Sequence, residues 1–214
     1  IMIFLAASGR SAVLSIITGT FPAPTPMAGV PDEYARRTDA ANQNDPRLHD
    51  FIAALPAKGQ VLDLGCGPGA AAAEMAKAGL TVTGMDASPE MVARANQHQG
   101  VSARQATFDD IDGCDLYDGI WANFSLLHAP RIDFPRHLAA LHRALKPGGA
   151  FYIGMKLGNG EHRDGLGRYY SYYTQNELET LLQDAGFTVT GTHLGQGKGL
   201  EGTVQPWISV AAHG

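Results

Sequence analysis

Apolar residues along the chain fall into short runs separated by polar, glycine-rich connections. Val61, Leu62 and Leu64 make one run before Gly65, and residues 80–85 make another that stops at Asp86. Runs this short, bounded by turn residues, predict buried strands. Between them, residues 70–78 have helix-forming composition, with four consecutive alanines. Ser88 followed by Pro89 predicts a helix start, and that helix runs to about His98. Gly100 ends it, and residues 101–105 form a third strand. An acidic loop over 106–118 leads to a fourth strand at 119–123 and a loop at 124–130. Phe134, Leu138, Leu141 and Leu145 share one face of a helix over 133–145. The turn at 146–149, Lys-Pro-Gly-Gly, ends that helix before a fifth strand at 150–156.

Residues 157–172 read as a polar loop rich in glycine and tyrosine. Thr174 and Glu177 then form a capping box, with Leu178, Leu181 and Leu182 as the apolar stripe of the next helix. A sixth strand at 187–193, a flexible turn at 195–202 and a last strand at 204–212 complete the pattern. Upstream, Leu48, Phe51, Ile52 and Leu55 recur at helical spacing until Pro56 and Gly59. Strands alternating with helices predict an α/β fold, a doubly wound, mostly parallel sheet with helices on both faces. The last strand is long enough to lie antiparallel beside the sixth. No internal repeat or second domain is visible.

Composition narrows this picture. A chain of 214 residues suits one substantial domain, and 44% hydrophobic with 17% charged residues allows a packed core. The net charge of -5, with no Lys/Arg run, argues against a nucleic-acid partner. Cys66 and Cys114 are the only cysteines, which suits a reducing cytoplasm better than a disulfide framework. No run reaches the roughly 18 apolar residues of a membrane span, so no membrane is expected. Residues 1–26 contain one charge, Arg10, and end in a proline-rich run. They lack the basic start of a secretory signal. Residues 1–29 therefore read as an N-terminal extension, with Met27 as the candidate true start, and 30–214 as the domain.

The candidate chemistry lies in 59–90. Gly65, Gly67 and Gly69 follow the first strand, and a glycine turn lets a backbone approach a ligand closely. Asp86 ends the second strand 21 residues after Gly65, the offset of an acid that binds a ribose. In open parallel sheets ligands bind beyond the strands' carboxyl ends. These residues call for an adenosine-type cofactor and leave two readings. Gly65, Gly67 and Ala70 satisfy the dinucleotide fingerprint, and S-adenosylmethionine fits equally.

The run Val61-Leu62-Asp63-Leu64-Gly65-Cys66-Gly67-Pro68-Gly69 resembles the first motif of class I S-adenosylmethionine-dependent methyltransferases. Tyr117-Asp118-Gly119-Ile120-Trp121 resembles that family's fourth strand, and Leu145-Lys146-Pro147-Gly148-Gly149 the turn before its fifth. The resemblance extends over about residues 30–212. It implies a seven-stranded Rossmann-like sheet with the last strand antiparallel, S-adenosylmethionine as cofactor, and roles by position. Asp63 and the backbone of Gly65, Cys66 and Gly67 hold the methionine part. Asp86 binds the ribose with Ala87 beside the adenine, and Met91 is a further cofactor-binding residue. Phe108 and Asp109 take the adenine's other edge. Asn123 and Phe124 flank the transferred methyl, and Tyr34 folds over the cofactor.

Methyl transfer from a sulfonium is a direct displacement, so alignment and water exclusion are the protein's main tasks. The expected acceptor is a small molecule, held by residues 30–37, 124–131 and 157–173. His128 is the candidate base or acceptor-orienting group. Tyr169, Tyr170, Tyr172 and Tyr173 are expected to cover the cleft or pack, and His162, Arg163 and Asp164 to be solvated. No metal motif is present, and a homodimer is the candidate assembly. The competing functions are an NAD-dependent oxidoreductase and a non-catalytic S-adenosylmethionine-binding protein.

Overall fold

The computed structural model describes residues 45–165, 167–198 and 202–214. Tyr34, the expected acceptor stretch 30–37 and the expected extension over 1–29 lie outside them. The described residues open with α1 (Pro46–Ala53), capped by Asp45, whose side chain accepts from the Arg47 N–H. Next come β1 (Gln60–Leu64), α2 (Ala70–Lys77), β2 (Thr81–Asp86), α3 (Pro89–Ala95) and β3 (Val101–Gln105). After them lie β4 (Tyr117–Asn123), α4 (Phe134–Ala144) and β5 (Leu145–Lys156). A hairpin, β6 (Glu161–Arg163) and β7 (Tyr169–Ser171), precedes α5 (Gln175–Asp184). The last elements are β8 (Thr188–Lys198) and β9 (Val204–His213). The expected caps hold. Ser88 Oγ accepts from the Met91 N–H, and Thr174 and Glu177 close a capping box.

Seven strands form one sheet in the order β3-β2-β1-β4-β5-β9-β8. Neighbours from β3 to β5 are parallel, whereas β9 runs antiparallel to both β5 and β8. The chain winds outward from β1 to β3, then returns to place β4 on β1's other side. That reversal is the switch point where a ligand crevice opens. Alternate side chains feed two cores. Leu62, Leu64, Ile120, Phe151 and Ile153 pack with α4 and α5 residues on one face. Val61, Val82, Trp121 and Tyr152 pack with Leu48, Phe51 and Met75 on the other. This is the doubly wound sheet expected, with its reversed last strand.

Three connections differ from expectation. The region over 157–172 contains the β6–β7 hairpin. Its strands are three residues long and its composition is that of a loop, so no periodicity could reveal it. The turn over 195–202 shrinks, because β8 continues to Lys198. Gly195 and Gly197 are strand residues there. A Cβ on Gly195 would overlap the Trp207 indole, and one on Gly197 would lie 3.4 Å from its Nε1. These glycines therefore mark close approach rather than flexibility. Finally, the 146–149 turn is looped out of a strand that has already begun. Tyr117 pairs with Leu145 and Gly119 with Ala150, so four residues bulge opposite Asp118.

Candidate cofactor and acceptor site

The glycine turn sits at the switch point. Gly65, Gly67 and Gly69 have φ of 70°, 53° and 90°, the left-handed region that glycine tolerates best. The N–H groups of Gly65 and Cys66 both donate to the Met85 carbonyl, at 2.7 and 3.0 Å, stitching the turn to β2. A Cβ on Gly65 would overlap the Ser125 Cβ, so this glycine also admits the segment that follows β4. The turn delivers the chain into α2, whose N-terminus has no side-chain cap.

Two carboxylates flank the turn. Asp86 Oδ2 accepts from the Gly67 N–H and Oδ1 from the Ser88 N–H, both at 2.9 Å. A carboxylate has about four lone-pair positions, so roughly two remain for a ligand. Asp63 is buried, and its Oδ2 has no hydrogen-bond partner among the described residues. Burial, and next the nearby charge of Asp86, push its pKa up to about 7, against the pull of the Ala72 N–H. An unpartnered buried oxygen is costly unless a donor or cation meets it.

The remaining expected cofactor residues divide. Cys66 is buried and its thiol is pushed far up by burial, so it lines the turn without reacting. Ala87 is fixed through its carbonyl, which accepts from Gln105 Nε2 at 3.1 Å. Met91 is buried in the first turn of α3. Asn123 places a buried Oδ1, without a hydrogen-bond partner among the described residues, at the end of β4. Phe124 beside it has φ of 54°, an unusual value for a bulky residue that costs about 1–3 kcal/mol and is typical of functional sites. Its exposed ring meets Trp207 edge-on at 6.2 Å. Phe108 and Asp109 turn towards α4. Phe108 lies edge-on to His137 at 5.7 Å, and the exposed Asp109 carboxylate pairs with Arg136 at 2.7 Å.

Two stretches expected to hold the acceptor do meet. His128 Nδ1 lies 2.8 Å from the Tyr169 carbonyl, and Ser171 Oγ donates to the Ala129 carbonyl at 2.6 Å. Arg131 donates to Glu161, to the Tyr172 carbonyl and to Glu177, and its guanidinium lies 4.2 Å over the Tyr173 ring. Tyr170, Tyr172 and Tyr173 are buried, the packing role expected of them. Of the trio expected to be solvated, His162 and Arg163 are exposed, His162 stacking on Tyr172 at 4.3 Å. Asp164 is the correction: its carboxylate is almost fully covered and holds Arg168 at 2.8 Å. Gln105 and Trp207 were not expected. Ser125 and Arg131 fall within the expected 124–131 stretch but were not singled out there, although Ser125 carried a usable signal in its place just beyond the fourth strand.

A buried acid with one unpartnered oxygen, a second acid with open acceptor positions and a glycine-lined backbone suit a ligand carrying an ammonium and a ribose. Such an arrangement suits an adenosine-type cofactor on a doubly wound sheet. A methyltransferase-domain family model matches residues 34–192. The chain belongs to the class I S-adenosylmethionine-dependent methyltransferases, and S-adenosylmethionine, not a dinucleotide, is their cofactor. It is 34% identical over 170 residues to trans-aconitate 2-methyltransferase of Deinococcus radiodurans, covering 78% of this chain and 62% of that protein. The chain thus spans under two thirds of that relative. Its fold is shared with a Methanosarcina mazei S-adenosylmethionine-dependent methyltransferase (TM-score 0.67, 20% identity, 79% of this chain and 97% of the other). It is shared too with Burkholderia thailandensis 1,6-didemethyltoxoflavin-N1-methyltransferase, solved with its acceptor and S-adenosylhomocysteine (TM-score 0.64, 24% identity, 89% and 93%).

Proposed function

We propose that this chain transfers a methyl group from S-adenosylmethionine to a small-molecule acceptor. The observation that carries the reading is Asp63, a buried acid with an unpartnered oxygen beside the Gly65–Gly67 turn. When bound, the cofactor supplies a methyl already activated by its sulfonium. The chain's own residues then orient and exclude. Asp63 and the turn's carbonyls receive the methionine ammonium, and Asp86 offers its open lone pairs to the ribose hydroxyls. Cys66, Ala87 and Met91 wall the cofactor from below, with Phe108 and Asp109 at the adenine's far edge. Asn123 and Phe124 border the methyl, and Tyr34 covers the cofactor. Direct displacement gains most from such alignment.

A small acceptor is supported by the names of trans-aconitate 2-methyltransferase and the didemethyltoxoflavin enzyme, and by a net charge of -5 that suits no nucleic acid. Among the described residues, no helix is long and apolar enough to cross a membrane. Cytoplasmic location is supported by the free thiols of Cys66 and Cys114. The homodimer draws on Leu194 and Val204, exposed on the β8–β9 ribbon, and sedimentation tests it. Titration calorimetry with S-adenosylhomocysteine is the central experiment. One site per chain is expected, and absence of binding removes the reading.

A further inference from the structure

The acceptor half contains a base and a cation set against one ring. His128 ends the 3-10 turn Leu126–His128, just past β4. Its Nδ1 faces the Tyr169 carbonyl at 2.8 Å. A carbonyl only accepts, so Nδ1 carries the proton and the neutral ring keeps a lone pair on Nε2. The ring leans on Tyr170, with centroids 4.7 Å apart. Lys156 Nζ lies 3.8 Å from the centroid of the same tyrosine. Lys156 shares a face of β5 with Gly154, the partner of Asn123 in the sheet. Base and cation therefore stand at the edge where Asn123 and Phe124 border the methyl.

The charged groups around His128 are Arg168 from the hairpin, Lys156 from β5 and Asp164. Although the residue has an exposed edge, loss of solvent around the ring is the leading cause that holds its pKa below the usual 6.5. The Tyr169 carbonyl and Asp164 oppose, and the two cations add to the lowering. The ring is thus neutral and able to take a proton at pH 7.

This pairing selects among acceptors. A carboxylate is already ionised at pH 7 and needs no base. A neutral amine attacks through its own lone pair. A phenolic hydroxyl, with a pKa near 10, needs both proton removal and a cation for the oxygen's charge. We propose that His128 is the base for a phenolic hydroxyl acceptor, with Lys156 facing the oxyanion. The inference rests on the methyl-transfer reading above. The hydroxyl proton passes to Nε2 as the oxygen forms a bond to the methyl carbon. The carbon–sulfur bond breaks, and its electron pair stays on sulfur as a neutral thioether. The proton then leaves His128 through its exposed edge.

The test uses the full chain and methyl-labelled S-adenosylmethionine. The acceptors are 4-hydroxybenzoate and simple monocyclic phenols, set against benzoate and 4-aminobenzoate. Label is expected on the phenolic hydroxyls alone. The wild-type kcat/KM should hold through the ordinary histidine pKa of about 6.5 and fall only at lower pH. His128→Gln should lose roughly 100-fold in kcat/KM and that acid limb, while binding S-adenosylhomocysteine as tightly as wild type. Added imidazole should restore part of the rate to His128→Ala. The inference is overturned if S-adenosylhomocysteine binds but label reaches only the amine or carboxylate controls, or no acceptor at all. It is equally overturned if His128→Gln stays within about threefold of wild type. If wild type does not bind S-adenosylhomocysteine, the methyl-transfer reading itself falls.

Discussion

The halves of the molecule proposed to hold donor and acceptor are built by different means. In the donor half the backbone does the joining. Gly65 and Cys66 donate to the Met85 carbonyl, and Gly67 donates to Asp86. All of these residues lie within 22 positions of one another in the chain. In the acceptor half, side chains reach across long sequence distances. Arg131 joins residues 30 to 46 positions away, and Ser171 reaches back 42 to Ala129. A backbone frame tolerates most side-chain changes and fails at the few positions that need glycine. A side-chain frame can be reshaped piece by piece without disturbing the sheet. The pattern suits a protein whose cofactor is generic and whose acceptor is particular.

The sharpest way to break this contrast is Gly65→Ala. The new Cβ meets Ser125 and the backbone must hold φ of 70°. A loss of roughly 2–5 kcal/mol in stability is expected, with cofactor binding abolished. Denaturant melts and calorimetry with S-adenosylhomocysteine measure both. A loss under about 1 kcal/mol means the turn is not the rigid frame described.

Asp63→Asn comes next and acts in two directions. The folded-state pKa is raised from 3.8 to about 7, so the neutral acid is the form that the empty fold favours. Stability from that preference is fully present below about pH 4 and is lost as pH rises through about 7. At pH 8 the ligand-free variant should therefore be more stable than wild type by on the order of 2–4 kcal/mol. Its affinity for S-adenosylhomocysteine should nevertheless fall about 10- to 100-fold, since the ammonium loses a charged partner. Wild-type affinity should weaken as pH drops below 7, and the variant's should not. Parallel melts and titrations at pH 5.5 and 8 check the signs. A destabilised ligand-free variant at pH 8 would contradict the account.

Arg131→Met tests the acceptor half alone. Both ion-pair partners are partly exposed, so about 1 kcal/mol of stability is expected to go. Cofactor affinity should hold while acceptor turnover drops, because the hairpin loses its tie to α5. Changed binding of S-adenosylhomocysteine would show that the halves are not separate. The smallest effect is expected of Arg136→Ala. Its pair with Asp109 is mostly exposed and should contribute under about 0.5 kcal/mol. A clear loss of cofactor affinity there would give Asp109 a direct part in the adenine edge.

The contrast also explains what could be read in advance. Local rules define the donor half: an apolar run, glycines at alternate positions, an acid at a fixed offset. Each is written within one stretch, so β1, β2, the turn and Asp86 were legible. The capping residues Ser88 and Thr174 were legible for the same reason. The acceptor half depends on contacts that no period or spacing encodes. Arg131 reads as one more polar residue until the fold brings Glu161 and Glu177 to it. The β6–β7 hairpin has three-residue strands stabilised by a neighbour, not by alternation. Gly195 and Gly197 misled because a glycine needed for space and one needed for a turn look identical in a sequence.

Trp207 lies across those two glycines with Phe124 at its edge. The only other tryptophan, Trp121, is buried and stacked on Tyr152 at 3.9 Å. The two indoles therefore sit in different surroundings, one sealed and one half-open beside Phe124. Fluorescence that shifts on titration would come from Trp207, with Trp121 as a steady internal reference. The molecule carries its own optical gauge of occupancy, readable without a dye.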